Sequence, residues 1–341
     1  MDGLSIVTGG AGFIGSHLVR QLVEHGDRVR VIEKPGVSVD HLPPGVEVGF
    51  ADIRDPSALA GAFDRGQWVY HLAANPNLWA RDRDEFDAVN RQGTVNVLDA
   101  ALAAGALRVL HTSTESILTK ARYCGPIDEN IKIELSDAVG PYCRSKLMAE
   151  RYAFLLASRG RPVVVANPTM PVGPGDRNLS PPTRLALDFC RGDLPMIMTC
   201  TLNLIDVRDV ACGLIAIMRK GVTGRRYILG NTNLTLEGLL GMLSELVGVP
   251  VPRFRVPYGF ALSFASISEL WANLVSRRPP KATLTGVRLA RRIMHFDSSR
   301  TALELGLQLR PIRESLADLV KWLAESGQLG CHTQNTTPYR P

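Results

Sequence analysis

The 341-residue sequence predicts an α/β fold, a doubly wound parallel sheet carrying a smaller, mostly C-terminal substrate lobe. Three observations predict it. Short β-branched runs alternate with helical periods over the first half, and a glycine triplet joins the first strand to the first helix. After Pro168 the alternation breaks into sequence dense in proline and glycine.

The elements follow in order. LSIVTG is a strand, residues 13–24 carry helical periodicity, and RVRVIE, VEVGFADI and WVYHLAA are three further strands. A helical stretch over residues 85–104 leads to RVLHTST, and a second over 142–158 leads to PVVVANP. Strands separated by helices have to run parallel, and right-handed crossovers then cover both faces of the sheet. This cofactor domain is expected over residues 1–168. The chain returns to it over 203–232, where LNLIDVRDVACGLIAIMRKG and RRYILG resume the strand–helix rhythm. The substrate lobe takes 169–202, including the loop-like PTMPVGPGDRNLSPPTR, and 233–327. The polar tail 328–341 is expected to be disordered.

Bulk composition narrows the function. The formal net charge is +6, yet the basic residues form no stripe interleaved with aromatics, and nucleic acid is not an expected partner. Six cysteines with no CxxC pair, and seven dispersed histidines with no HExxH, argue against a disulfide framework and against a metal site. No basic and apolar leader precedes the first strand, so the cytoplasm is the expected compartment. Residues 256–275 are the nearest candidate for a membrane span, extended to 256–278 by Arg277 and Arg278. Glu269, Asn273 and several serines interrupt it, and it reads as an amphipathic lid or core helix, with a membrane contact as the alternative.

TGGAGFIG, residues 8–15, lies between strand and helix and spaces Gly9, Gly12 and Gly15 three apart. The first glycine allows the tight turn. The second lets backbone amides approach a pyrophosphate, with Phe13 and Ile14 opening the helix, and the third allows helix and strand to pack closely. The pattern is that of a Rossmann dinucleotide site. Glu33 ends the second strand about 20 residues on, where a carboxylate accepts from ribose hydroxyls and repels a ribose phosphate. NAD is therefore expected, with NADP as the alternative because Lys34 follows. Asp52 and Ile53 end the third strand, near the adenine. Leu72, Ala73 and Ala74 end the fourth, where small side chains leave room for a cofactor.

Tyr142 and Lys146 are four apart and share one helix face. A tyrosine whose free pKa is about 10 needs help to work near neutrality, and an adjacent ammonium supplies it. Tyr142 is the expected general acid/base, with Lys146 also free to donate to the nicotinamide ribose. Thr112 to Thr114 end the preceding strand on the cofactor side. Thr114 is expected to hold the substrate oxygen, with Ser113 as the fallback.

TGGAGFIG, HLAA, TST, YCRSK and NPTMPVGPGD together resemble the extended short-chain dehydrogenases/reductases, the NAD-dependent epimerase/dehydratase group. LNLIDVRDVA, YILGNTNLTL and TGVRLARRIMHFDSSRT are similar to hopanoid-associated sugar epimerases, themselves close to dihydroflavonol reductases. The resemblance implies roughly seven strands and a Tyr142–Lys146–Thr114 triad. It implies that Asn90 supports the site, that Asn167 and Pro168 flank the nicotinamide, and that the helices over 85–104 and 142–158 pair into a homodimer. Sugar-nucleotide dehydratases of this group carry Asp-Glu or Ser-Glu directly after the threonine. Glu115 and Ser116 follow here, which weighs against dehydration.

The expected substrate is a small molecule with a secondary alcohol or ketone. A sugar or sugar-nucleotide epimerase is the first reading, and a dihydroflavonol or hydroxysteroid-type ketone reductase the second. A non-catalytic NAD(P)-binding sensor is the third. Asn75, Trp79, Arg81, Met170, Asn178 and Arg184, in segments after strands, are the expected pocket residues.

Overall fold

A computed structural model describes residues 4–63 and 68–329. Seven strands form one parallel sheet: β1 (Leu4–Thr8), β2 (Arg28–Glu33), β3 (Glu47–Phe50), β4 (Trp68–His71), β5 (Arg108–Thr112), β6 (Val163–Pro168) and β9 (Arg226–Leu229). Their order is β3-β2-β1-β4-β5-β6-β9, and every adjacent pair is parallel. The order reverses between β1 and β4. That crevice, at the C-terminal strand ends, is where an open α/β sheet binds its ligand.

Central strands read as continuous apolar runs because both faces are covered. On one face Val7, Val31 and Leu110 pack against Leu18, Leu22, Leu214 and Met218 from the helices Phe13–Glu24 and Val207–Lys220. On the other, Ile6, Ile32 and Val109 meet Val97, Leu98 and Leu102 of the helix Gly93–Ala103, with Ala153 and Leu156 of the helix Gly140–Ser158.

The expected elements are present, with four local differences. VEVGFADI stops pairing at Phe50, and Asp52 turns back so that Arg54 holds it in a bidentate pair through Nε and Nη2. The 85–104 helix is wound as a π-turn over Asp87–Gln92. Within the expected loop after Pro168, Met170–Val172 forms β7; Pro171 is tolerated because β7 is an edge strand of a second sheet. That sheet has the order β10-β8-β7, with β8 at Thr201–Asp206 and β10 at Thr232–Thr235. The LNLID strand, expected to rejoin the cofactor domain, is therefore β8 of the smaller lobe. Only the following helix and β9 return.

The lobe has its own core, where Phe189 and Ile197 meet Leu240 and Leu243 of the helix Leu236–Val247 and Leu316 and Leu319 of the helix Ile312–Glu325. Leu329 is buried there and the Gln328 carbonyl accepts from Arg191, so these two residues of the expected tail belong to the lobe. The rest of that tail, 330–341, lies outside the described residues. The helix Tyr258–Trp271 packs through Ala261 and Ala265 on the lobe, but its large apolar side chains face outward, unlike those of a core helix. Among the described residues no helix is long and apolar enough to cross a membrane.

Candidate active site

The glycine loop fills the β1 side of the crevice. Gly9 has φ +74°, and a side chain on it would meet the Ala73 backbone at 2.7 Å. A β-carbon on Gly15 would stand 2.1 Å from the Gly9 carbonyl oxygen, so helix and loop approach as the triplet predicts. The helix Phe13–Glu24 starts at Gly12 with no side-chain cap and no acid in its first turn. Its first amides, including those of Phe13 and Ile14, have no helical acceptor, which suits a pyrophosphate.

Glu33 lies buried at the end of β2, and its Oε1 accepts from the Ala11 amide at 2.7 Å. Burial raises its pKa, against the pull of the Ala11 and Lys34 amides. The carboxylate is thus partly committed to the loop itself, and Lys34 beside it is exposed. Asp52 is held by Arg54, whose hydrogen bonds lower its pKa. Ile53 is buried against Gly93, where a side chain would collide with its Cδ1 at 2.7 Å. Leu72, Ala73 and Ala74 follow β4, and the Leu72 amide donates to the Thr8 carbonyl.

The catalytic candidates converge from β5 and the helix Gly140–Ser158. Tyr142 and Lys146 are both buried on one helix face, and Phe86 meets the Tyr142 ring edge-on at 6.2 Å. The Lys146 ammonium donates to the Thr112 carbonyl at 2.8 Å. Burial brings its pKa down to about 8, opposed by the charge of Glu150. Burial and the neighbouring Glu115 push the Tyr142 pKa above the usual phenol range, with Thr114 acting in the opposite sense. Thr112 Oγ1 and Ser113 Oγ are buried without a hydrogen-bond partner. These free hydroxyls beside Lys146, with the uncapped helix, are what a nicotinamide dinucleotide requires, and the residues fit that group.

Glu115, which its sequence context did not mark as a working residue, is the nearest acid. The Thr114 hydroxyl donates to Glu115 Oε2 at 2.9 Å and also lies 2.9 Å from Ser116 Oγ. Burial of the carboxyl brings Glu115 up to about 7. Its signal in sequence was only its place after Thr114.

Several expected residues serve as braces. Asn90, inside the π-turn, is fully buried; its Oδ1 accepts from the Asn75 amide and its Nδ2 donates to the Asn75 carbonyl and to Ser145 Oγ. Ser145 in turn donates to the Tyr142 carbonyl. A π-turn widens the helix locally and aims this one amide at both partners. Asn167, expected beside the nicotinamide, commits its Nδ2 to Glu150 at 2.7 Å and to the Thr114 carbonyl at 3.1 Å. Glu150 is ion-paired with Arg226, so a buried charge pair holds the turn that presents Thr114. Pro168 ends β6 beside Asn167. His71 and His111 are stacked and buried, and burial holds both neutral, His71 at about 3.

Among the pocket candidates, Asn75 joins this network and its side chain also donates to Glu85. Trp79 Nε1 donates to Asn273 at 3.2 Å, tying the loop after β4 to the C-terminal lobe. Met170 packs on the small lobe's core in β7, and Arg81, Asn178 and Arg184 are exposed. None of these four belongs to the hydrogen-bond network around Tyr142.

Residues 5–230 match the family model for the NAD dependent epimerase/dehydratase family. The chain belongs to the NAD-dependent epimerase/dehydratase family. Members bind NAD(P) and act on small molecules, and this chain is an enzyme of that family. It is 36% identical over 328 residues to a protein of Synechocystis provisionally named dihydroflavonol 4-reductase, with 94% of each chain covered. It is 32% identical to sterol demethylase protein B of Methylococcus capsulatus, covering 95% of this chain and 99% of that one. The crystal structure of gox2253 superposes with a TM-score of 0.85 at 31% identity, over 96% of this chain and all of the other. A dTDP-glucose 4,6-dehydratase from Streptomyces venezuelae, solved with NAD, shares the fold at a TM-score of 0.76 and 24% identity, over 95% and 98% of the two chains.

Proposed function

We propose that this protein is an NAD(P)-dependent reductase of a bulky ketone, running in reverse as a secondary-alcohol dehydrogenase, rather than a sugar epimerase. The proposal rests on the convergence of buried Tyr142, Lys146 and Thr114 at the crevice end of β5, together with the names of similar relatives. The Synechocystis and Methylococcus relatives, named for a dihydroflavonol and a sterol, support a polycyclic substrate.

When bound, the nicotinamide supplies or accepts the hydride. Thr114 and Tyr142 hydrogen-bond the carbonyl oxygen and so favour negative charge developing on it. The Tyr142 phenol gives that oxygen its proton. Lys146, fixed by the Thr112 carbonyl, is placed to neutralise the phenolate left behind and to donate to the ribose. Asn90, through Ser145, steadies the first turn of the Tyr142 helix. The Arg226–Glu150–Asn167 chain holds the Thr114 backbone. Glu33 favours NAD over NADP because a buried carboxylate at the end of β2 repels a ribose phosphate. Dimerisation through the Gly93–Ala103 and Gly140–Ser158 helices belongs to the same proposal, supported by Met148 and Leu155 exposed on the latter.

The test incubates the protein with reduced NAD or NADP and a panel of sterol ketones, dihydroflavonols and sugar nucleotides, following reduced-nicotinamide absorbance near ~340 nm and the products by chromatography. Net oxidation with a polycyclic ketone supports the proposal. Isomerisation of a sugar nucleotide with no net change in absorbance overturns it in favour of an epimerase, and cofactor binding without turnover overturns it in favour of a sensor.

A further inference from the structure

The helix Tyr258–Trp271 and the turn Ala272–Ser276 that extends it are amphipathic in the reverse of the usual sense. The inward face is small or polar. Ala261, Ala265 and Ala272 seat it closely, and buried Glu269 accepts from the Leu284 amide at 2.7 Å and pairs with Arg83. The outward face carries Phe260, Phe264, Ile267, Trp271 and Leu274 at successive spacings of four, three, four and three, which align on one side of a helix. Their exposures run from 47% to 70%. A contiguous apolar stripe of this kind marks a surface that is covered in use.

The charge around it identifies the cover. Residues 250–296 hold eight Lys/Arg and a single acid, the buried Glu269, a net +7, while the rest of the chain sums to −1 against the formal net charge of +6. Arg277, Arg278 and Lys281 are exposed just past the C-terminal end of the stripe. Arg253 is exposed ahead of the N-terminal end, and Arg291 stacks over Tyr258 there at 4.7 Å. Arg255 is neutralised by Glu237, and in the segment beyond Trp79 Arg83 pairs with Glu269, leaving Arg81 beside the acids Asp82 and Asp84. Both ends of the stripe are basic, so a second copy laid on it, parallel or antiparallel, would oppose like charges. An anionic bilayer would instead take the apolar stripe among its acyl chains and the arginines at its headgroups.

We infer that this helix face docks on an anionic lipid bilayer, the protein lying on the membrane without crossing it. The inference is independent of which alcohol or ketone the site takes.

The test is co-sedimentation of the full chain with vesicles of phosphatidylcholine containing phosphatidylglycerol, beside vesicles of phosphatidylcholine alone. The expected result is binding to the anionic vesicles that weakens with salt and falls at least about tenfold in the double variant Ile267→Glu, Leu274→Glu. Both positions are exposed, and circular dichroism checks that the variant is folded. A second measurement needs no disruptive change: Trp271 fluorescence should shift to the blue on anionic vesicles, a shift absent in Trp271→Phe. The inference is overturned if the wild type stays in the supernatant at low salt, or if the double variant binds as well. It is equally overturned if the substitutions dissolve a dimer while vesicle binding is absent.

Discussion

Replacing Glu115 with glutamine separates the proton chemistry of the site from its shape. The side chain keeps its size and can still accept from Thr114, but it no longer ionises. Burial raises the Glu115 pKa from 4.5 to about 7. At about 1.4 kcal/mol for each tenfold change in proton affinity, that rise corresponds to an upper limit of about 3 kcal/mol. The unfolded chain ionises near 4.5 while the folded protein holds its proton to about 7. The wild type therefore loses stability as pH climbs through that window, and the deficit stays constant above it. Glu115→Gln removes the deficit. In urea titrations at pH 5 and pH 8 the variant should gain on the wild type by up to about 3 kcal/mol between the two pH values, less whatever its hydrogen bonds lose. Removing this negative charge should also lower the Tyr142 pKa, moving the alkaline limb of the reduction rate to lower pH. A variant-to-wild-type difference that is the same at both pH values would refute the raised Glu115 pKa.

Three further outcomes follow from the same contacts. Gly15→Ala puts a β-carbon 2.1 Å from the Gly9 carbonyl, so NAD affinity measured by calorimetry should fall at least about tenfold even where the fold survives. Glu150→Leu strands the Arg226 guanidinium in the interior and releases Asn167, and chemical denaturation should show a loss of about 3–5 kcal/mol. Lys146→Met removes the ammonium that faces the Thr112 carbonyl; turnover should drop by about 10²-fold or more while the denaturation midpoint changes little.

The parts of the fold legible in sequence were those set by local periodicity and by glycine. The helix Phe13–Glu24 begins where the glycine triplet ends, and Tyr142 and Lys146 share a face because four residues make about one turn. The placement of β8 was not legible. LNLID has the apolar look of any strand, and only its pairing with Met170–Val172 and Thr232–Thr235 assigns it to the small sheet. The π-turn at Asn90 was hidden for a similar reason: one extra residue in a helical turn leaves no mark in the apolar pattern, while it decides where the amide points. Glu115 was read only as a departure from a dehydratase pattern, since its elevated pKa arises from burial that other segments provide. Asn167 was expected at the cofactor; its Nδ2 is taken by Glu150, itself paired with Arg226 of an edge strand far away in sequence, and by the Thr114 carbonyl, while its Oδ1 is buried without a partner.

In the proposed reduction Tyr142 delivers the proton to the ketone oxygen. Single-turnover reduction, followed by the loss of reduced-nicotinamide absorbance near ~340 nm, tests it by comparing wild type with Tyr142→Phe. The variant should bind the cofactor as tightly as wild type, since the lost hydroxyl is placed toward the substrate oxygen in the proposed reduction, yet transfer hydride at least about 10²-fold more slowly. Hydride transfer within a few fold of the wild-type rate would contradict it and move the proton donor elsewhere, with Glu115 the next carboxyl in reach of Thr114.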